Sequence, residues 1–266
     1  MSSVGQRLAL IVAGSVLVLF LAVPMVVLLT TTTSAEFASG MAGSLVWPAL
    51  RLSLFTTLTS LTLTVLFGTP LAWTLAKSST RLGSAVETLV QLPMVVPPAV
   101  AGVALLLTFG RRGVLCGWLY PRGSSVTFTT AAVVLAELFV SAPFFVQAAT
   151  SAFRLVDRRL LVVAQTMGAS PLRVLARIAA PLAMPGLVAG AVMTWARSLG
   201  EFGATLMFAG NLEGRTQTLP LAIYTALEGN FATAQALSIV LVIVAFALLL
   251  ATRALVHRRA SAEGAS

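Results

Sequence analysis

The chain is 266 residues long, 58% hydrophobic and only 9% charged, with a mean hydropathy of +0.97. A soluble domain of ordinary composition carries about 25% charged residues, so too few remain here to cover a water-facing surface, and no long polar block could form a separate soluble domain. The formal charge of +9 comes from 16 Arg and the single Lys77; these are not interleaved with aromatics as a nucleic-acid surface requires, and basic residues flanking membrane spans account for them.

A bilayer core needs about 20 apolar residues per helix. The first run, from about Leu8 to Leu29, exceeds the roughly 7–15 apolar residues of a signal peptide and reads as a retained span. Thr30–Thr33 is a polar turn at its end. A second run extends from about Leu52 to Ala76, a third from Leu89 to Phe109 and a fourth from Thr127 to Thr150. The fifth covers about Gly186 to Phe208 and the sixth about Phe231 to Val256. Each is predicted to be a helix, because a spanning helix satisfies its own backbone polar groups. Pro93, Pro97 and Pro98 stand near the start of the third run. They mark either irregular backbone at membrane depth, which survives only against protein or a water-filled path, or a helix that begins after Pro98. The tail beyond Arg258 is predicted to be without regular structure. The predicted fold class is an all-α integral membrane protein of six transmembrane helices, with both termini on one side.

Orientation follows from Arg and Lys near the span ends. One side collects Arg7, Lys77, Arg81, Arg154, Arg158, Arg159, Arg173, Arg177, Arg253, Arg258 and Arg259; the other has Arg51, Arg111, Arg112, Arg122 and Arg215. Eleven against five makes the first side cytoplasmic, and both termini with it. Arg111, Arg112 and Arg122, between the third and fourth runs, work against the bias.

Between the fourth and fifth runs lies a segment too polar to be membrane. Leu155 to Met167 can form a short helix. Gly168 suits its left-handed C-terminal turn, Ser170 can cap the next helix through its hydroxyl, and Pro171 suits the first helical position. The second helix is predicted to align Leu172, Leu175, Ile178 and Ala179 on one side, with Arg173 and Arg177 at i and i+4 on another. Such an amphipathic pair either fits a partner's groove or rests on anionic headgroups.

The fifth run places Thr194, Arg197, Ser198, Glu201 and Thr205 on one stripe if the helix is unbroken. Gly186 and Gly190 form a G-x-x-x-G arrangement that permits close backbone approach. Ionisable residues inside a membrane are a functional signal by default. Hydroxyls at Thr194, Ser198 and Thr205, with Gly200 and Gly203 exposing backbone, could line the route of a tetrahedral dianion. Arg197 and Glu201 either form an ion pair that locks two helices together or present Arg197 to an anion.

Several chemistries find no residues. Cys116 is the only cysteine and His257 the only histidine, so no disulfide framework, metal cluster or nucleophilic triad is available, and no catalytic or metal-binding residue is assigned. A P-loop needs G-x-x-x-x-G-K followed by Ser or Thr, and Lys77 has no glycines in those places. Energy must come from a partner or an ion gradient. Glu137 is the only other acid well inside a predicted span, which argues against a proton relay and hence against a gradient-driven secondary transporter.

Gly168, Ala169 and Ser170, followed by Ile178 and Pro181 at fixed spacing, resemble the cytoplasmic loop of binding-protein-dependent ABC importer permeases. Val162 stands where that loop usually has Glu, Val163 where it has Ala, and Ala180 where it has Leu. W-A-R-S-L-G-E-F-G-A-T-L-M-F-A-G-N from Trp195, then G-R-T-Q-T-L-P-L-A-I-Y from Gly214, resembles the fifth span and following loop of the molybdate permeases of that family. Q-L-P-M-V-V-P-P-A-V-A-G from Gln91 and F-G-R-R-G-V-L from Phe109 fit its third span and exit. The resemblance runs from about Leu50 to Val256. Sulfate permeases share Arg197, Gly200, Glu201, Phe202 and Gly203; the continuation from Ala204 favours molybdate or tungstate.

The resemblance implies a type I ABC importer transmembrane domain over 45–256, preceded by a transmembrane helix and external loop over 1–44 and followed by a cytoplasmic tail over 257–266. It implies an ATPase-coupling loop built from Gly168, Ala169, Ser170, Pro171, Ile178 and Pro181. It further implies a homodimer of permeases in the cytoplasmic (inner) membrane, with two ABC ATPase subunits and an extracytoplasmic molybdate-binding protein. No cofactor is then expected on this chain, ATP and Mg being on the partner ATPase.

Overall fold

The computed structural model describes residues 3–115 and 125–263, and every regular element among them is helical. Cys116 and Arg122 lie outside the described residues. In chain order the helices are α1 (Ser3–Thr30), α2 (Ser34–Met41), α3 (Val46–Lys77), α4 (Arg81–Val95), α5 (Pro98–Phe109) and α6 (Thr130–Arg154). There follow α7 (Arg158–Thr166), α8 (Pro171–Val174), a π-helical turn (Leu175–Ala179), α9 (Ala180–Leu199), α10 (Gly203–Ala209), α11 (Leu219–Gly229) and α12 (Phe231–Glu263). Helix α12 thus continues past Arg258, where the sequence predicts an irregular tail.

Helix α1 carries apolar residues all round and buries none of its span Leu10–Thr30, as expected of a helix whose partner is lipid. Near its C-terminus Gln235 Nε2 of α12 donates to Thr31 Oγ1 at 3.4 Å. Thr33 then starts α2 with a capping box: the Glu36 amide donates to Thr33 Oγ1 (3.2 Å) and the Thr33 amide to Glu36 Oε2 (2.9 Å). These bonds hold the Glu36 carboxyl below its usual range.

Helices α3 and α6 are the central pair, and they run in the same direction. Near one end Thr56 Oγ1 meets Glu137 Oε1 at 2.8 Å; at the other, Trp73 packs edge-to-face on Phe153 at 5.3 Å. Two parallel neighbours require a crossing connection. The pair α4–α5 supplies it: Glu87 of α4 binds Arg154 at the C-terminal end of α6 (2.7 Å), while α5 ends beside the α6 N-terminus. The third predicted run is therefore not one straight helix. It bends by 115° between Val95 and Pro98, because the ring of Pro98 cannot continue a helix from upstream but suits its first position. Among the described residues five helices are long and apolar enough to span, with Pro171–Leu199 taken as one, and the bent pair counted as one span makes a sixth. Helix α9 runs opposite to α6, and α12 returns towards the end where α1 begins. The start of α1 and the end of α12 accordingly lie towards the same side as residues 155–170.

Three apolar clusters hold the bundle. One joins the C-terminal halves of α3 and α6 to Leu161, Val174, Ala179 and Leu187. A second joins α5, the N-terminal half of α6 and α10, with Phe208 fully buried. The third packs α11 and α12 against the start of α3. Threonines on the lipid side of α3 donate back to their own carbonyls, Thr59 to Phe55 at 2.7 Å and Thr69 to Val65 at 2.6 Å, so no hydroxyl is left unbonded there.

Candidate functional site

The segment between α6 and α9 is a helix, a tight turn and a second helix. Asp157 caps α7 by accepting the Arg159 amide at 2.8 Å. Gly168 adopts φ +87°, and the Ala169 amide reaches back to the Ala164 carbonyl at 3.0 Å, which closes α7 as the sequence predicts. Ser170 Oγ accepts the Arg173 amide at 3.4 Å and Pro171 takes the first helical position.

Beyond that point the structure corrects the sequence. The second helix is not a separate short element: it passes through the π turn Leu175–Ala179 directly into α9, and Pro181 lies within the first turn of α9 rather than ending anything. A π turn inserts an extra residue, so the face changes register. Val174 and Ala179, five apart, are fully buried, whereas Leu172, predicted to share one side with Ala179, is 74% exposed. Ile178 packs at the margin of the cluster, Arg173 and Arg177 are exposed, and Val162, in the place of the usual Glu, is exposed on α7. Met167 at the turn is 83% exposed. The outcome is a rigid knob whose inner face is tied to the bundle and whose tip presents apolar and basic groups.

At the other end of α9 the helix stops at Leu199 and resumes as α10 at Gly203, so the stripe predicted for an unbroken helix is interrupted at Gly200–Phe202. Arg197 and Glu201 nonetheless meet across the break: Arg197 Nη2 lies 2.7 Å from Glu201 Oε2, a charge contact rather than an aligned hydrogen bond. Glu201 Oε1 accepts the Ala204 amide at 2.8 Å and so caps α10. The Glu201 side chain is 1% exposed and that of Arg197 27%. Gly203 fits against Pro98, where a Cβ would stand 3.1 Å from the proline ring; Gly200 meets no such crowding and is exposed.

Thr194, Ser198 and Thr205 are buried inside this chain. They belong to a polar layer that sequence reading missed. Ser53, Thr56, Thr57, Ser60 and Thr64 form a buried stripe on α3, visible in the sequence as hydroxyls at helical spacing within an apolar run. Thr56 binds Glu137, Trp195 Nε1 donates to Thr57 Oγ1 at 3.0 Å, and the Leu219 amide donates to Ser53 Oγ at 2.7 Å. Thus α3, α6, α9 and α11 are tied together by side-chain hydrogen bonds at the level where α9 breaks. The hydroxyls of Ser60, Thr64, Thr194 and Thr205 have no hydrogen-bond partner there.

Gly186 and Gly190 do what G-x-x-x-G predicts: a Cβ on them would stand 2.5 Å from Ala152 Cβ and 2.8 Å from Ala148 Cβ. This close contact seats α9 on α6.

Comparison with known proteins gives a consistent picture. Residues 68–261 match the family described as binding-protein-dependent transport system inner membrane component. The chain is 44% identical over 228 residues to the molybdenum transport system permease protein ModB of Mycobacterium tuberculosis, covering 86% of each. It is 38% identical over 183 residues to ModB of Escherichia coli, covering 68% of this chain and 80% of that protein. Among solved structures, a bacterial alginate ABC transporter in complex with an alginate pentasaccharide-bound periplasmic protein superposes with a TM-score of 0.76 at 19% identity, over 95% of this chain and 94% of that one. The MetNI methionine ABC transporter, in an inward-facing conformation, gives 0.61 at 19% identity over 80% and 95%.

Proposed function

Because the chain belongs to the binding-protein-dependent transport system inner membrane components, we propose that it is the membrane subunit of an ATP-driven importer of molybdate. Its fold is that of a type I ABC importer transmembrane domain. The likeness to relatives named for molybdenum transport, over most of both chains, is the observation that carries the substrate. Tungstate and sulfate are the oxyanions nearest in chemistry.

In this reading ATP and Mg are held by a separate ATPase, and this chain takes no cofactor. The knob formed by α7, Gly168 and α8 is the coupling element, with Gly168, Ala169, Ser170 and Pro171 shaping its tip and Ile178 and Pro181 joining it to α9. Its exposed Met167 and Leu172 gain most from a partner's groove, since exposed apolar surface of this kind marks an interaction site. The knob and both termini then face the cytoplasm across the inner membrane, as the charge bias requires. Two copies of the chain, with an extracytoplasmic binding protein, complete the importer.

The oxyanion path runs past the break between α9 and α10 of the two copies. Gly200 is exposed there and Arg197 partly so. Glu201 offsets the charge of Arg197, so the ion pair shapes the path without trapping an anion, as conduction through weak sites requires. Thr194, Ser198 and Thr205 reach the path only when the polar layer rearranges. Uptake by the complex reconstituted in vesicles, with its ATPase and binding protein, tests the reading. ATP-dependent accumulation of molybdate is expected; transport of sugars or amino acids with none of molybdate, tungstate or sulfate would refute it.

A further inference from the structure

The knob end of the bundle holds a pocket of about 290 Å³ where the C-terminal ends of α3 and α6 meet α7. Three cations line it: Lys77, Arg154 and Arg158. Lys77 Nζ stands 3.7 Å from the centroid of the Trp73 ring. Arg154 is held by both oxygens of Glu87, at 3.1 and 2.7 Å. Arg158 follows the Asp157 cap at the start of α7. No carboxylate is among the lining residues. Asp157 lines a different groove, that between α7 and α9. The ion pairs among the described residues are Arg154–Glu87 and Arg197–Glu201, so Lys77 and Arg158 have none.

Val162 lines the same pocket. A carboxylate at this position, where the loop pattern usually has Glu, would neutralise the pocket from within the chain. Val leaves its cations to water. The floor is apolar, since Trp73, Phe153 and Leu161 are buried, and charges beside such a floor attract an anion more strongly than charges surrounded by water. The rim continues into the knob: Val162 and Val163 are 57% and 56% exposed, and the same helix leads to Met167 at the tip. A partner that covers Met167 therefore covers the mouth of the pocket as well.

We propose that this pocket receives an acidic side chain of the ATPase that docks on the knob, so that the carboxylate missing at Val162 comes from the partner. The inference rests on the ATPase-driven reading and deepens it. The Arg158 guanidinium offers a planar fork to a carboxylate and Lys77 a point charge. The apolar rim of Val162 and Val163 shields the pair from water once the partner is seated, as the surround of a strong contact does. A charge contact placed to one side of an apolar tip fixes the register of docking, which the tip alone leaves free to rotate. A lipid phosphate is the alternative anion; continuity of the rim with Met167 favours the protein.

Lys77 is the only lysine of the chain, which gives the test a specific readout. The complex with its co-purified ATPase, in nanodiscs of neutral lipid, is treated with a water-soluble carbodiimide, which joins an amine to a carboxylate in direct contact with it. Mass spectrometry should find an amide between Lys77 and an Asp or Glu of the ATPase. Lys77→Arg should lose that cross-link but keep most of the affinity for the ATPase. Lys77→Gln/Arg158→Gln should bind the ATPase about tenfold more weakly at low salt, with the difference shrinking at high salt. Val162→Glu should lower the yield of the cross-link, because its own carboxylate competes for the pocket. Absence of the cross-link, or unchanged affinity in the Gln variant, would overturn the pocket alone. A loss of affinity seen only in nanodiscs of anionic lipid would also overturn it, by making the occupant a lipid phosphate. Failure of any ATPase to assemble with the unaltered chain refutes the ATPase-driven reading and the pocket together.

Discussion

The two members of the Arg197–Glu201 pair differ in what each leaves behind. Arg197→Ala strands a carboxylate that is 1% exposed, whereas Glu201→Gln leaves a guanidinium that is 27% exposed and can reach water. Gln can also go on accepting the Ala204 amide. Breaking a buried pair costs about 3–5 kcal/mol, so Arg197→Ala should approach that range and Glu201→Gln fall well short of it. The yield of folded protein and its thermal midpoint in detergent check the order, and equal losses would show that burial does not set it. At Gly168 nothing lies within 4 Å of a would-be Cβ, and φ is +87°. The penalty there is purely one of backbone conformation. Gly168→Val should cost about 1–2 kcal/mol locally and Gly168→Asn less, since Asn visits the left-handed region more readily. Uptake coupled to ATP hydrolysis should drop in the Val variant while its insertion in the membrane persists; normal coupling would remove the turn from the mechanism.

Between elements, one close contact is that of α9 with α6. Gly186→Ala would place a Cβ 2.5 Å from that of Ala152, and overpacking of a tight contact costs about 1–3 kcal/mol. Ala152→Gly removes the opposing methyl group. The double variant Gly186→Ala/Ala152→Gly should therefore recover most of the stability lost by Gly186→Ala alone, a coupling readable in a double-mutant cycle of thermal midpoints. Additive effects would mean that the two methyls do not meet. The polar layer above this contact has a different character. Its hydrogen bonds join α3 to α6, α9 and α11, but several of its hydroxyls are unpartnered.

For the molecule as a whole, the paths of the helices and the charge bias make one joint prediction. With Cys116→Ser as background, Cys introduced at Ser79 or Gln165 should resist a membrane-impermeant thiol reagent in intact cells, and Cys at Ala35 or Ser39 should react. All four positions are exposed, so burial does not confuse the readout. Labelling of Gln165→Cys while Ser79→Cys stays protected would mean that the bent α4–α5 pair is a re-entrant loop on one side and not a pass. At 32 residues α3 is about 48 Å long, beyond the roughly 30 Å hydrocarbon core. Its two ends therefore stand clear of the bilayer, which is why the knob and the cavity lined by Arg111, Arg112 and Arg215 can form at opposite ends.

Membrane class, the number of passes and the helix–turn–helix around Gly168 were legible in the chain itself, because they depend on local quantities: run length, backbone freedom and capping chemistry. The close contact at Gly186 and Gly190 was legible for the same reason, being set by spacing along one helix; Arg197 and Glu201, which the sequence offered either as an ion pair or as an Arg197 facing an anion, meet although the helix ends between them. Tertiary structure alone decided the rest. The π turn that merges the second short helix into α9 is invisible in the sequence, since it answers to where Val174 and Ala179 must pack. The break after Leu199 brings Glu201 onto the amide of Ala204, and whether Thr194 and Thr205 face a path or a core depends on the α3 stripe opposite them. Arg111, Arg112 and Arg215 were only a disturbance in a charge count until the fold placed residues a hundred positions apart around one cavity, a consequence of chain crossing that no local pattern encodes.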